Sequence, residues 1–298
     1  MARTAHGSRT IRATGAAGGR TKRRDLQMRI GWLSTGRDQA ACNLLSEIVE
    51  RAQQDELELD VAAVFCDRER GESPDSDRFI DLVQQLGYPA LTLSSAVSWQ
   101  RAQGSGQDRP QWREEFHEQV QRLLGPYRLN VLVLAGYMLI VSPAMCRRYP
   151  GLNLHPALPQ GPTGTWQQVI WQLLRENAEQ SGAMINLMTP ELDRGPVVAL
   201  DSFSLRGPEW DPLWKQLQKK LKTQSLDEIA AAEGEAEPLF AAIREYGESR
   251  EIPLLYQTIK QFALGKLQAT GNGAVFSESA RLPLDLTAQV DEELAARP

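Results

Sequence analysis

The feature that most constrains this chain is a regular alternation, over residues 29–154, of short apolar runs with segments of helical period. Residues 29–34, 59–65, 89–93, 130–135 and 151–154 read as strands. Between them, residues 77–86, 111–124 and 143–148 read as helices. A further helix is capped by Asp38 and runs through Ala40, Leu44, Leu45, Ile48 and Val49 at helical spacing. The run Asn-Val-Leu-Val-Leu-Ala at 130–135 is continuously apolar, as a strand buried on both faces must be. Such alternation implies an α/β fold with a mostly parallel sheet and helices on both faces. Sites in these sheets lie beyond the carboxyl ends of the strands, so chemistry is expected in the loops after Ser34, Ala135 and Leu154.

The rest of the chain is less regular. Residues 94–110 are polar, contain Gly104 and Gly106, and read as a loop; 156–164 is a second loop rich in proline and glycine. A helix is expected over 165–177 and strands over 182–188 and 197–203, flanking the turn Thr-Pro-Glu-Leu-Asp-Arg-Gly. Helices follow over 210–221, 238–246 and 252–264, and residues 274–298 read as an irregular tail with one short strand at 274–276. Three units result: a basic segment 1–27, a catalytic domain 28–270 with a helical insertion near 208–234, and a tail 271–298.

Composition excludes several classes. Three cysteines, Cys42, Cys66 and Cys146, form neither a disulfide framework nor a metal spacing and read as reduced thiols, two of them buried. With only His6, His117 and His155 present, a histidine-based metal site is not expected. No apolar run is long enough to span a bilayer, and a cytoplasmic protein is expected. Residues 1–24 hold seven basic and no acidic residues, so the net charge of −5 leaves −12 on the remainder. The basic start fits a transit peptide, a nucleic-acid arm, a disordered tail, or an over-extended sequence whose native start is Met28. The acidic body argues against nucleic acid as a partner.

Three groups carry potential chemistry. Asn153 and His155 lie two apart at the end of a strand and share one side of it, and Pro156 fixes the turn that follows. Asp193 lies in a tight turn between two strands, and Ala135-Gly136-Tyr137-Met138 follows the most buried strand. An amide, an imidazole and a carboxylate suit acyl transfer to an amine. Asn153 and a protonated His155 can hold a tetrahedral oxyanion, while Asp193 and His155 move protons, directly or through a water. The same residues also fit plain packing and turn-capping roles, and spacing alone leaves both readings open. Trp166, Trp171, Trp210 and Trp214 stand at helical spacings and read as core or interface packing rather than ligand stacking. Gly36-Arg37-Asp38 is no dinucleotide fingerprint, which sets aside a dehydrogenase on the same sheet.

AGYMLIVSP (135–143), NLHPALP (153–159) and ELDRGPVV (191–198), in this order and spacing, resemble the phosphoribosylglycinamide formyltransferase family, and the likeness extends over about residues 28–267. The resemblance implies a Rossmann-like formyltransferase fold and 10-formyltetrahydrofolate as formyl donor, without a metal. It implies Asn153, His155 and Asp193 as the catalytic set. For the folate it implies Met138, Leu139 and Val141 on one wall and Thr189, Pro190, Glu191 and Leu192 on the other, partly through backbone groups. For the acceptor it implies Gly36, Arg37, Asp38, Pro156 and Glu248, and glycinamide ribonucleotide as the amine formylated in purine synthesis.

The sequence also departs from that family. Its Gly-Ser-Asn phosphate loop is Ser34-Thr35-Gly36-Arg37-Asp38-Gln39 here, where Arg37 can clamp a phosphate in place of backbone amides. A Leu-Leu-Pro-Lys segment is reduced to Leu158-Pro159-Gln160, and a histidine of the strand before the Asp193 loop is replaced by Asn186. These changes leave open another amine, such as an amino-sugar nucleotide or methionyl-tRNA, and a non-catalytic folate- or nucleotide-binding role. They also leave open whether the chain forms a homodimer.

Overall fold

The computed structural model describes residues 28–270 and 274–296; the basic segment 1–27 lies outside them. The first half builds β1 (Met28–Ser34), α1 (Gln39–Gln54), β2 (Leu59–Cys66), α2 (Pro74–Gln85), β3 (Ala90–Thr92), α3 (Ser95–Gly104), α4 (Arg109–Leu124), β4 (Val131–Leu134), α5 (Pro143–Arg148) and β5 (Gly151–His155). The second half adds α6 (Trp166–Arg175), β6 (Gln180–Leu187), β7 (Val197–Ser204), α7 (Asp211–Lys220), α8 (Leu226–Glu233) and α9 (Pro238–Ala263). It ends with β8 (Gln268–Ala269), β9 (Val275–Phe276), β10 (Leu284–Asp285) and α10 (Thr287–Ala295).

Eight strands form one sheet in the order β10-β7-β6-β5-β4-β1-β2-β3. Pairing is parallel from β3 through to β5 and again between β7 and β10; β5–β6 and β6–β7 are antiparallel. Alternation along the strands explains the layers. Ile30 and Trp32, with Val131 and Val133, face a core shared with α1, α2, α9 and α10, whereas Leu33, Leu132 and Leu134 face α3, α4 and α5. A third apolar cluster joins α6, α7, α8 and the first half of α9 around Phe203 and Phe240. Trp210 and Trp214 are buried in it, and Trp171 packs on Phe240, as expected of packing residues. Cys42 and Cys66 are buried and all three thiols are free. No helix among the described residues is long and apolar enough to cross a membrane.

Three expectations are corrected. The loop expected over 94–110 contains α3, capped by Ser94, whose Oγ accepts from Val97 N at 3.0 Å. Trp112 Nε1 donates to Ser98 Oγ at 3.0 Å, and the Arg109 guanidinium lies 3.8 Å over the Trp99 ring. Tertiary contacts thus carry a helix in which only Ala102 is buried. The two helices expected over 238–264 are one, and it continues through Gly247 and Pro253. Leu239, Phe240, Ile243, Leu254, Leu255 and Ile259 bury on both sides of that point, and this packing overrides the local breakers. The tail expected to be irregular supplies the edge strand β10, paired with β7, and the helix α10.

A buried ion cluster ties these late elements together. Arg250 on α9 donates from Nε and Nη2 to the two carboxylate oxygens of Asp201 on β7, at 2.8 and 2.6 Å. Its Nη2 also meets Asp291 Oδ1 on α10 at 2.7 Å. Arg250 is 1% exposed and Asp201 fully buried, so removing Asp201 leaves the guanidinium in the core with the exposed Asp291 as its remaining partner. Asp201→Ala is expected to lower the free energy of unfolding by about 3–5 kcal/mol, measured by urea denaturation. A loss below about 1 kcal/mol would contradict this role.

Candidate active site

The strand order reverses between β1 and β4: β2 and β3 continue on one side, β5 and the antiparallel strands on the other. The loops leaving β1 and β4 therefore diverge and open a crevice at their carboxyl ends. Thr35 N donates to Gly136 O at 3.0 Å, and Met138 N donates to Thr35 Oγ1 at 3.0 Å, which fixes the two loops to each other. Behind them Tyr137 OH donates to His117 Nε2 at 3.2 Å, while His117 Nδ1 donates to Arg113 O at 2.9 Å. Burial pushes the His117 pKa down to about 4, which favours the neutral ring and leaves Nε2 to accept from Tyr137. Gly36 has φ +58°, and a Cβ there would lie 2.9 Å from Phe79 Cβ, so the first turn needs glycine.

A cleft of about 630 Å3 occupies this crevice. Asn153, His155 and Asp193 all line it. Asn153 Nδ2 donates to Asp193 Oδ1 at 3.1 Å, and His155 Nδ1 lies 3.4 Å from Asp193 Oδ2. His155 is 2% exposed, and its Nε2 stands 2.9 Å from Pro162 O; a carbonyl only accepts, so Nε2 carries a proton. Gly164 N donates to Asp193 Oδ2 at 3.3 Å. The loop 156–164 therefore grips both the imidazole and the carboxylate through its backbone. Asp193 itself sits at φ +54°, a left-handed conformation costing a non-glycine residue about 1–2 kcal/mol, which these bonds offset. The turn is closed by Gly195, where a Cβ would fall 1.8 Å from Leu187 O.

Of the residues expected at the folate, Met138, Leu139 and Val141 line the cleft from the β4 loop, and Thr189, Glu191 and Leu192 from the β6–β7 loop. Pro190 is not among the lining residues. Met138 and Leu192 are 48% and 49% exposed, large apolar side chains standing open as a flat ligand would need them. Of the residues expected at the acceptor, Arg37, Asp38, Pro156 and Glu248 line the cleft; Gly36 does not and serves the turn instead. Sequence reasoning missed Trp166, Asn186, Arg244 and Glu251. Trp166 was expected to be packing only; it packs on Phe240 but also lines the cleft, with the Arg244 guanidinium 4.4 Å over its ring. Arg244 and Glu248 are an i,i+4 pair at 3.0 Å, a relation legible once α9 is known to be continuous.

The lining holds two arginines and seven carboxylates. Arg244 is engaged by Glu248 and, at 3.1 Å, by Glu251; Arg37 Nε lies 3.6 Å from Asp38 Oδ2. Burial pushes the Glu251 carboxyl up to about 7; Arg244 opposes this, and Glu248 and Asp38 add to it. The folded protein therefore holds a proton on Glu251 at pH values where the unfolded chain has lost it. Stability from this group is present below the ordinary carboxylate range and is lost as pH rises toward 7. Glu251→Gln should gain stability relative to the parent between about pH 5 and pH 8, read from urea unfolding at both. A difference that does not change with pH would contradict this.

A profile of the formyl transferase family matches residues 39–207, more than half of the chain. Phosphoribosylglycinamide formyltransferase of Escherichia coli (strain K12) is 31% identical over 159 residues, 52% of this chain and 64% of that enzyme, so the match spans a little under two thirds of its length. Three solved structures share the fold. Glycinamide ribonucleotide transformylase 1 from Symbiobacterium toebii aligns with a TM-score of 0.56 at 19% identity, covering 83% of this chain and 92% of its own. The phosphoribosylglycinamide formyltransferase of Coxiella burnetii aligns at 0.58 and 18%, covering 87% and 99%. A formyltetrahydrofolate deformylase from Pseudomonas syringae pv. tomato aligns at 0.55 and 19%, covering 84% and 66%. On the extent of the profile match, the chain belongs to the formyl transferase family.

Proposed function

We propose that this chain transfers the formyl group of 10-formyltetrahydrofolate to the amine of glycinamide ribonucleotide. The observation that carries the reading is the convergence of Asn153, His155 and Asp193 at one cleft that also holds the open apolar side chains of Met138 and Leu192. The acceptor nitrogen attacks the formyl carbon, forming the new C–N bond and an oxyanion. The Asn153 amide and a protonated His155 donate to that oxyanion. Asp193 takes the proton released by the amine, directly or through a water, and a proton passes to the folate nitrogen as its bond to the formyl carbon breaks. Met138 and Leu192 are placed to cover the flat faces of the folate.

A second acceptor, a different primary amine, is favoured by two observations. Asp38 caps α1, its Oδ1 accepting from Ala41 N at 3.1 Å, so a carboxylate stands where helix-terminal amides would otherwise meet a phosphate. The excess of carboxylates in the cleft points the same way.

Release of tetrahydrofolate with glycinamide ribonucleotide as acceptor tests the reading. Turnover is expected in the parent and a fall of at least about 10²-fold in kcat for His155→Ala and for Asp193→Asn. Arg37→Ala is expected to raise KM for the phosphorylated acceptor about tenfold with kcat held, since a uniform binding contact is removed. Turnover with an unphosphorylated amine but not with the ribonucleotide would select the second acceptor. Formate release without amide formation would exclude both.

A further inference from the structure

We infer that Asn186 is a positioning residue that sets which end of the Asn153 carboxamide faces the reacting carbon; the inference rests on the proposed acyl-transfer role of Asn153. The two residues are direct cross-strand partners in the antiparallel β5–β6 pair. The β6–β7 register shifts between Ile185 and Asn186, an irregularity of the kind that re-aims a side chain. Asn186 is 2% exposed and its Oδ1 accepts from Asn153 Nδ2 at 3.1 Å.

The polarity of this contact is fixed by what surrounds it. Asn186 Nδ2 points to the Leu187 carbonyl at 3.5 Å, a long contact but one that can only accept, which turns Oδ1 toward Asn153. Asn153 then has both amide protons directed at oxygens, one at Asn186 and one at Asp193. A reversed Asn153 amide would set its own oxygen against both acceptors.

The two bonds differ in what the reaction does to them. When Asp193 takes a proton from the amine, its oxygen becomes a poorer acceptor and its hold on the Asn153 amide weakens. The released N–H is then free to donate to the oxyanion. Without a second restraint the carboxamide can turn at that moment and present its carbonyl oxygen to the oxyanion, which repels it. Asn186 does not titrate and is anchored on β6, so it keeps the nitrogen end in place while the other proton changes partner. The buried Asn186 amide thus makes the Asn153–Asp193 bond exchangeable without making Asn153 free.

The test uses the full chain with Asn186→Leu, which removes the accepting oxygen at similar volume, and Asn186→Asp, which keeps an oxygen there in either protonation state. Two readouts are taken: formyl-transfer kinetics, and solvent exchange of the 15N-labelled Asn153 side-chain amide. Tetrahydrofolate binding by calorimetry reports that the cleft is intact. Asn186→Leu is expected to lose up to about 10²-fold in kcat, the scale of one oxyanion donor, with tetrahydrofolate affinity within about twofold. Its Asn153 amide is expected to exchange at least about tenfold faster, and Asn186→Asp is expected to restore both readouts by about tenfold or more. Parental kcat in Asn186→Leu overturns the inference. Equal losses in the Leu and Asp variants, both binding tetrahydrofolate, also overturn it, because the oxygen is then not what matters. If the parent itself forms no formamide, the proposed function fails, and the amide exchange still decides: unchanged protection in Asn186→Leu overturns the positioning role.

Discussion

The parallel pairing of β1 with β4 is the constraint on which the rest of the cleft depends. It is the point where the strand order turns back, so the two loops leaving it cannot pack flat against one another. The backbone bond from Thr35 to Gly136 and the Thr35 hydroxyl beneath Met138 tie their bases together while their tips part. Everything placed around that opening arrives from a different part of the sequence: α1 with Asp38, β5 with Asn153 and His155, the β6–β7 turn with Asp193, and α9 with Arg244 and Glu248. The continuous apolar strand β4, buried on both faces, carries the opening at its carboxyl end.

Within the opening, one carboxylate does the organising. Asp193 is held in a left-handed turn and receives the Asn153 amide, the Gly164 amide and the Nδ1 edge of His155. The conformation is unfavourable for an aspartate by itself, and it persists because β5 and the loop that follows it converge on its oxygens. In the proposed transfer, a group fixed this way loses little entropy when the amine reaches it. On the opposite side the carboxylates of α9 neutralise Arg244, which lies over Trp166, so that arm of the cleft is polar but carries little free positive charge.

Much of this was legible in the sequence because it follows from period and local chemistry. The alternation of strand and helix over 29–154, the Asp38 cap and the placing of Asn153 and His155 on one side of a strand need no tertiary information. What was not legible depends on contacts between distant segments. The helix α3 shows little amphipathic pattern, and only Ala102 within it is buried. The helix α9 contains Gly247 and Pro253, and only the packing of Leu254, Leu255 and Ile259, with Arg250 bound to Asp201, shows why it does not break there. The strand β10 is two residues long and exists only because β7 offers an edge. At the site, Gly36 and Pro190 lie on the expected loops but outside the lining, since a loop's position does not say which of its residues face inward. Asn186 was visible only as a departure; its contact with Asn153 needed the β5–β6 register.

The proposed reaction moves a formyl carbon from a folate nitrogen to an amine nitrogen. The most direct measurement follows the carbon itself, with 13C-labelled formyl on 10-formyltetrahydrofolate and glycinamide ribonucleotide as acceptor. The label is expected in the formamide of the ribonucleotide, in step with tetrahydrofolate. Label recovered as free formate, with the amine unchanged, would contradict it.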